Sequence, residues 1–593
     1  MTGVALGEKA RLARAVAAEC ASVIWRGVAA RSAALLIRPT RTPDKLVIAP
    51  QDLRTSDPTR AAEIYAGRFV FEAKSVDTRG ASPFLAPPPS QAWAEALHGF
   101  GWLRHLRAAD TTLSRANARA LVDEWIGLRG GVARGAARRP EVAARRVISW
   151  LCQSPLILDG ADRAFYRRFL RSLARQTRRL ARLKLRTEDG LPRLTVACAL
   201  VYAGLCLAGE TRLLKTASKQ LADELDRQIL ADGGHVSRNP AAIVEVLLDL
   251  LPLRQAFAVR GVAPPQGLLN AIDRAMPMLR FFRHGDGAFA QFNGAGPSRN
   301  DLVATVLAYD DARGPVMEEA PHSGYQRLVA GDTLALEDVG APPPRGVSRF
   351  AHAGCLSFEL SHGSERIVVN CGAPEIGREA WDAAARATAA HAAAVIADTS
   401  SCRFVTAPWL RRFIGPLILA GPSRPQVKRQ REPGFVRVTA RHDGYARRFG
   451  VDHERALRLS DDGLTLEGED RFLPVRVGPP PEDRKVALRF HLHPAIRAAP
   501  AQDGQSVLLS AASGAGWLFS SPDAVAEVEE SVHLSGAHGP RRAEQIVVRG
   551  TLRGTPSLGW SLRRIERGPA RRARMPSGAE AGELFGPDAP LLS

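Results

Sequence analysis

The chain has 593 residues, 45% of them hydrophobic and 24% charged, a globular composition with room for two to four domains that each bury a core. Lys plus Arg exceed Asp plus Glu by 81 to 61, a formal charge of +20, which favours acidic partners such as nucleic acid, anionic membrane or acidic polysaccharide. No run is apolar and long enough to span a bilayer. No recognisable nucleic-acid module accompanies the charge, so no nucleic-acid partner is expected, and the Arg-, Ala- and Pro-rich usage of a GC-rich genome accounts for much of the excess.

In chain order, residues 5–37 predict a helix, followed by a small mixed segment with strand-like "DKLVIAP" and "GRFVFEAKSV". The Pro-rich "FLAPPPSQAW" is a hinge. From Ala92 to about Ala308, apolar stripes at 3.6-residue spacing are joined by short loops, which predicts antiparallel helix pairs wound into an incomplete (α/α) toroid. From Ser348 to about Gly568, short alternating segments such as "CLSFELS", "FVRVTARHD" and "QIVVRGTL" predict an antiparallel β-sandwich. The expected organisation is therefore 1–90 helix and mixed segment, 91–320 toroid, 321–568 sandwich and 569–593 a disordered tail, with a cleft at the toroid–sandwich junction.

Within "RFAHAGCLSFELSHGSERIVVNCG", residues 349–372, Leu356, Phe358 and Leu360 alternate with Ser357, Glu359 and Ser361, as in a strand with one face buried. The seven cysteines show no CxxC pair and no metal-finger spacing. Twelve of the fourteen histidines lie after residue 230, and several fall where the junction is expected. Two glycine-rich loops, "ADGGHVSRNP" and "RHGDGAFAQFNGAG", present His235, Arg238 and Asn239, and His284, Asp286, Gln291 and Asn293. Such loops suit an oligosaccharide cleft, with donors and acceptors for hydroxyls and an Arg fork for a carboxylate or sulfate. Closing helix ends is the alternative role for the same residues.

Taken together, "FGWLRHLRA", "DGGHVSRNP", "AHAGCLSFELSHGSERIVVNCG" and "ARATAAHAAAVIAD" resemble the heparinase II/III family of polysaccharide lyases, over about residues 40–568. The resemblance implies a toroid plus sandwich and β-elimination on a uronic-acid-containing acidic polysaccharide. That reaction needs the uronate carboxylate neutralised, a base for the C5 proton and an acid for the leaving oxygen. It implies a His-x-His-x-Asp pattern before the "SFE" strand, which here reads Phe350, His352, Gly354. The implied zinc ligands are His352, Asn370 in place of an Asp, and His391, a weak site because the charge compensation of a carboxylate is lost. The family's Asn-His falls on Pro192-Arg193 and its Tyr on Ala242.

A lyase would then recruit His235, His284, His322 and Tyr325 as its catalytic groups, with Arg238, Asn239, Asp286, Gln291 and Asn293 holding substrate. The other readings are a non-catalytic glycan-binding relative, and a protein acting on an intracellular glycan in envelope assembly. The N-terminus shows no apolar leader followed by a cleavage site, which points to the cytoplasm, whereas the resemblance points to the cell envelope.

Overall fold

The computed structural model describes residues 10, 12–25, 28, 43–128, 135–184, 187–311, 314–375, 378–475, 483–536 and 538–565. The expected tail and the ends of the helix predicted over 5–37 lie outside them; residues 12–25 are helical. Leu12, Val16, Cys20 and Val23 recur at helical spacing and pack on Val405, Leu410, Ile414 and Leu417 of the C-terminal half. Among the described residues no helix is long and apolar enough to cross a membrane.

The stretch "DKLVIAP" forms only a single bridge, Leu46 to Leu207, instead of a strand. "GRFVFEAKSV" is not one strand but a hairpin, β1 (Arg68–Phe71) and β2 (Lys74–Asp77). Glu72 and Ala73 turn it with φ of 49° and 56°, the left-handed pair that a two-residue hairpin turn requires. Helices then follow from Gln91–Gly99 to Asn300–Leu307. The helix Leu191–Cys206 is buried nearly all round and lies against Pro140–Cys152, Thr211–Gln228 and Pro240–Val259, which explains its uniformly apolar sequence.

After the toroid comes a five-stranded antiparallel sheet in the order β3 (Glu319–Ala320), β4 (Tyr325–Ala330), β5 (Thr333–Asp338), β6 (Phe358–His362), β7 (Glu365–Val368). The alternation in "CLSFELS" predicts one solvated face, but Phe358, Glu359, Leu360 and Ser361 are all buried. The sheet stands between two cores. Tyr325, Leu334 and Leu336 join the toroid core, while Leu328, Ala335, Phe358 and Leu360 join the sandwich core. The polar row of β6 is thus turned toward the helices instead of water.

A Val368–Leu492 bridge links β7 to the strand Lys485–His491 of a four-stranded sheet. Opposite lies an eight-stranded antiparallel sheet that includes Phe435–His442, Val451–Ser460, Thr465–Pro474 and Ser557–Ile565. Trp560 stacks on Phe358 across the sandwich with ring centroids 5.2 Å apart. Gly468 makes room for it, since a Cβ there would stand 2.1 Å from the indole, the close approach that glycine inside a strand signals. The observed architecture is the expected one, an α/α toroid followed by an antiparallel β-sandwich.

Candidate functional site

At the junction a cavity of about 820 Å³ opens between the toroid loops, the segment Gly346–Ala351 and the N-terminal helix. His235, Ser237, Asn239 and Asn293 line it from the toroid, and Phe350 and Phe413 from the other side. Each phenylalanine is 49% exposed, offering a flat apolar face of the kind on which sugar rings stack. Asn239 caps the helix Pro240–Val259 by accepting the Ala241 N–H at 2.9 Å, which leaves its amide nitrogen as a donor at the cavity. Arg349 holds Glu188 at 2.8 Å on the rim.

His235 reaches this cavity with both ring nitrogens occupied. Its Nδ1 accepts the Ser237 backbone N–H at 3.1 Å, so the proton sits on Nε2 and is donated to Gln228 Oε1 at 2.9 Å. Gln228 is oriented in turn by donating its amide to the Gly190 carbonyl at 3.0 Å. Burial lowers the His235 pKa to about 4, so the ring is neutral and has no lone pair left for a proton of a bound ligand.

The other expected catalytic groups are placed elsewhere. Tyr325 is 1% exposed; its hydroxyl donates to the Arg238 carbonyl and accepts from Asn293 Nδ2 at 2.9 Å, and burial pushes the phenol pKa up. His284 lies off the cavity, between Ser361 Oγ at 2.8 Å and Glu359 Oε2 at 3.0 Å. Burial lowers its pKa, opposed by Glu359. His322 is exposed on a turn away from the cavity lining.

The expected substrate donors are also redistributed. Arg238 spans the junction instead of facing a ligand: Nε donates to Ser323 O at 2.7 Å, Nη1 to Ala341 O at 2.9 Å, Nη2 to Gly324 O at 2.9 Å, and it pairs with Asp338. Asn293 touches the cavity but gives its amide hydrogens to Tyr325 and to Asp338 at 3.0 Å. Asp286 pairs with Arg366 at 3.0 Å, and the Gln291 backbone N–H donates to Glu359 at 3.1 Å. Only Asn239 of this set presents an uncommitted donor at the cavity. Phe413 and the wall supplied by Val23 and Ile24 were not foreseen, because "PWLRRFIGP" and the N-terminal helix carry no signal beyond apolar spacing.

His352, Asn370 and His391 do come together, as a hydrogen-bonded cluster. His391 Nδ1 donates to Ala387 O at 2.8 Å, so its Nε2 accepts from His352 Nδ1 at 3.1 Å. The Asn370 oxygen accepts the Ala392 N–H at 3.1 Å and its amide donates to Glu359 at 3.3 Å. A Cβ at Gly354, where the resemblance implies a carboxylate, would stand 2.9 Å from the His391 ring. The set offers two imidazoles and no anionic donor, and its amide is spent on Ala392 and Glu359, which makes it a poor zinc shell; among the described residues no group of three His, Cys, Asp or Glu is arranged to hold a metal.

A family model described as Heparinase II/III-like, C-terminal, matches residues 312–561. FtsZ-localized protein C of Caulobacter vibrioides is 34% identical over 574 residues, covering 92% of this chain and 96% of that protein. The chain belongs to the heparinase II/III-like family. The crystal structure of heparinase III superposes with a TM-score of 0.69 at 12% identity, over 91% of this chain and 89% of that one. Heparan sulfate lyase HepC from Pedobacter heparinus gives 0.57 at 15% identity, over 94% and 91%. At such identities the heparinase structures establish the common fold, and the chemistry of this member has to be read from its own side chains.

Proposed function

We propose that this heparinase II/III-like protein is a non-catalytic, acidic-glycan-binding member of its family. The observation that carries the reading is the locked state of His235, the sole expected catalytic group on the cavity wall, while Tyr325 and His284 are spent on buried contacts. Pro192, Ala242 and Phe350 line the same cavity at positions where the resemblance implies Asn, Tyr and His. Eliminating across a C5–H bond needs a positioned base and an electrophile for the uronate carboxylate; an imidazole without a lone pair supplies neither. What remains suits binding: two half-exposed phenylalanine faces and the Asn239 amide, with Arg349 on the rim paired to Glu188.

The test is incubation with a panel of uronate polysaccharides, following the absorbance of a 4,5-unsaturated uronate alongside binding by calorimetry. Binding without absorbance gain is expected. Release of unsaturated product would return the protein to the lyases, with β-elimination as its activity, and His235→Ala would then have to abolish it.

The cavity region is further proposed to work without zinc. Metal analysis of the purified protein is expected to find far less than one zinc per chain, and a chelator to leave the melting temperature unchanged. Stoichiometric zinc lost together with stability would instead make His352 and His391 ligands.

The Caulobacter relative is named for its localisation with FtsZ. Carried to this chain, that name supports the proposal that its glycan binding takes place where FtsZ assembles. A fluorescent fusion is expected to coincide with FtsZ, and diffuse fluorescence would count against that assignment.

A further inference from the structure

A second cavity, of about 940 Å³, lies on the toroid beside hairpin β1–β2, and it is walled in part by Gly101, Trp102, Arg104 and His105 of "FGWLRHLRA". That motif belongs to the sequence signature of the family resemblance, yet none of its residues lines the junction cavity. Its polar groups are arranged around Arg104. The Arg104 Nε donates to Thr55 O at 2.8 Å and Nη1 to Gly101 O at 2.6 Å, so two backbone carbonyls fix the guanidinium plane. Glycine at 101 permits this, because a Cβ there would stand 3.1 Å from Nη1. Among the described residues Arg104 has no carboxylate partner, and Nη2 is left without a protein acceptor.

Two further donors line the same cavity. His105 accepts the Asp57 backbone N–H on Nδ1 at 3.0 Å, which puts its proton on Nε2, and that N–H has no acceptor among the described residues. Burial, with Arg104 and Arg60 adding to it, lowers the His105 pKa to about 4, so the ring stays a neutral donor. Arg60 is exposed and likewise forms no ion pair among the described residues.

Nine carboxylates also line the cavity, and several of them are paired with arginines, Glu95 and Glu141 with Arg139. Glu245 and Asp52 lie 3.0 and 3.9 Å from Arg54. Glu63 is 3.1 Å from Arg68, and Asp301 is 3.3 Å from Arg299. Arg104 stands among lining charges of both signs. Burial holds its pKa down to about 10, and Arg54, Arg299 and Arg60 push the same way against the pull of Asp52.

We propose that this cavity is an oxoanion-binding site, in which Arg104, Arg60 and the Nε2–H of His105 take a phosphate, sulfate or carboxylate group of a ligand. Planar guanidinium forks with a fixed neighbouring N–H suit such groups. Glu245 lines both this cavity and the junction cavity, so the two adjoin at that side chain.

The experiment follows thermal stability and calorimetric binding of the full chain in inorganic phosphate, in sulfate and in glucuronate, each against sodium chloride of equal ionic strength. A saturable response to at least one is expected, and the strongest of the three identifies the group the site prefers. Arg60→Gln, on an exposed side chain with no structural bond, is expected to weaken that binding about tenfold or more. Arg104→Gln is expected to abolish it; should that variant fail to fold, Arg60→Gln still decides. Responses no greater than chloride for all three probes, or unchanged affinity in Arg60→Gln, would overturn the proposal. Because the probes are small anions, the outcome does not depend on whether the junction cavity holds a glycan.

Discussion

Arg238→Ala is expected to cost the protein about 3–5 kcal/mol of stability, and not simply a ligand contact. The side chain is buried, pairs with Asp338, and donates to the carbonyls of Ser323, Gly324, Gly340 and Ala341. Removing it leaves the Asp338 carboxylate and these carbonyls without donors in a place that water does not reach, and an unpaired buried charge is the costly half of a broken pair. The guanidinium also stands 4.8 Å from the Tyr325 ring centroid, so its loss opens the packing between the loop at 238 and β4. Arg238→Lys should recover little, since one ammonium has three donors where the fork supplies five in a fixed plane. Thermal unfolding followed by circular dichroism tests this. A variant that melts like the parent but binds glycan weakly would make Arg238 a ligand contact after all.

Glu337→Gln is expected to stabilise the protein relative to the parent by an amount that grows with pH. Glu337 is 0% exposed on β5, opposite Phe358, and neither carboxyl oxygen has a hydrogen-bond partner among the described residues. Burial raises its pKa well above the usual 4.5; Arg455 opposes, while Asp470 and Asp338 add to the rise. The folded state therefore keeps a proton that the unfolded chain releases near pH 4.5. Between those two pKa values the native state binds more protons, so stability falls as pH rises, by about 1.4 kcal/mol per pH unit. The amide cannot titrate, so the variant lacks this slope. Any fixed cost of its extra N–H donors shifts the difference by a constant. Denaturation of both proteins at pH 5, 6 and 7 should show the gap widening as pH rises; a gap independent of pH would mean that Glu337 is solvated or paired.

The fate of the polar loop residues explains why the candidate site was only partly legible. "DGGHVSRNP" announces His, Ser, Arg and Asn on a glycine-rich turn, and nothing local separates donors aimed at a ligand from donors aimed at another domain. His235 is closed by Gln228, seven positions away, whereas His284 is closed by Glu359 and Arg238 by Ala341, which lie 75 and 103 positions distant. The misread face of β6 has the same origin. Alternation of Phe358 and Leu360 with Glu359 and Ser361 records that two faces differ, but a polar face turned to water and one turned to His284 have the same pattern.

By itself the sequence determined the order of helical and sheet-rich halves, because 3.6-residue and two-residue periodicities are local properties of the chain. It also determined which family residues are missing, since Pro192, Ala242, Phe350 and Gly354 are identities that no folding can alter. Only the tertiary structure decided which of the remaining polar groups are available for chemistry. A buried donor or acceptor must find a partner wherever the fold brings one within about 3 Å, and here those partners come mostly from the opposite side of the junction. What they leave uncommitted is the Asn239 amide in one cavity, and Arg104, Arg60 and His105 in another.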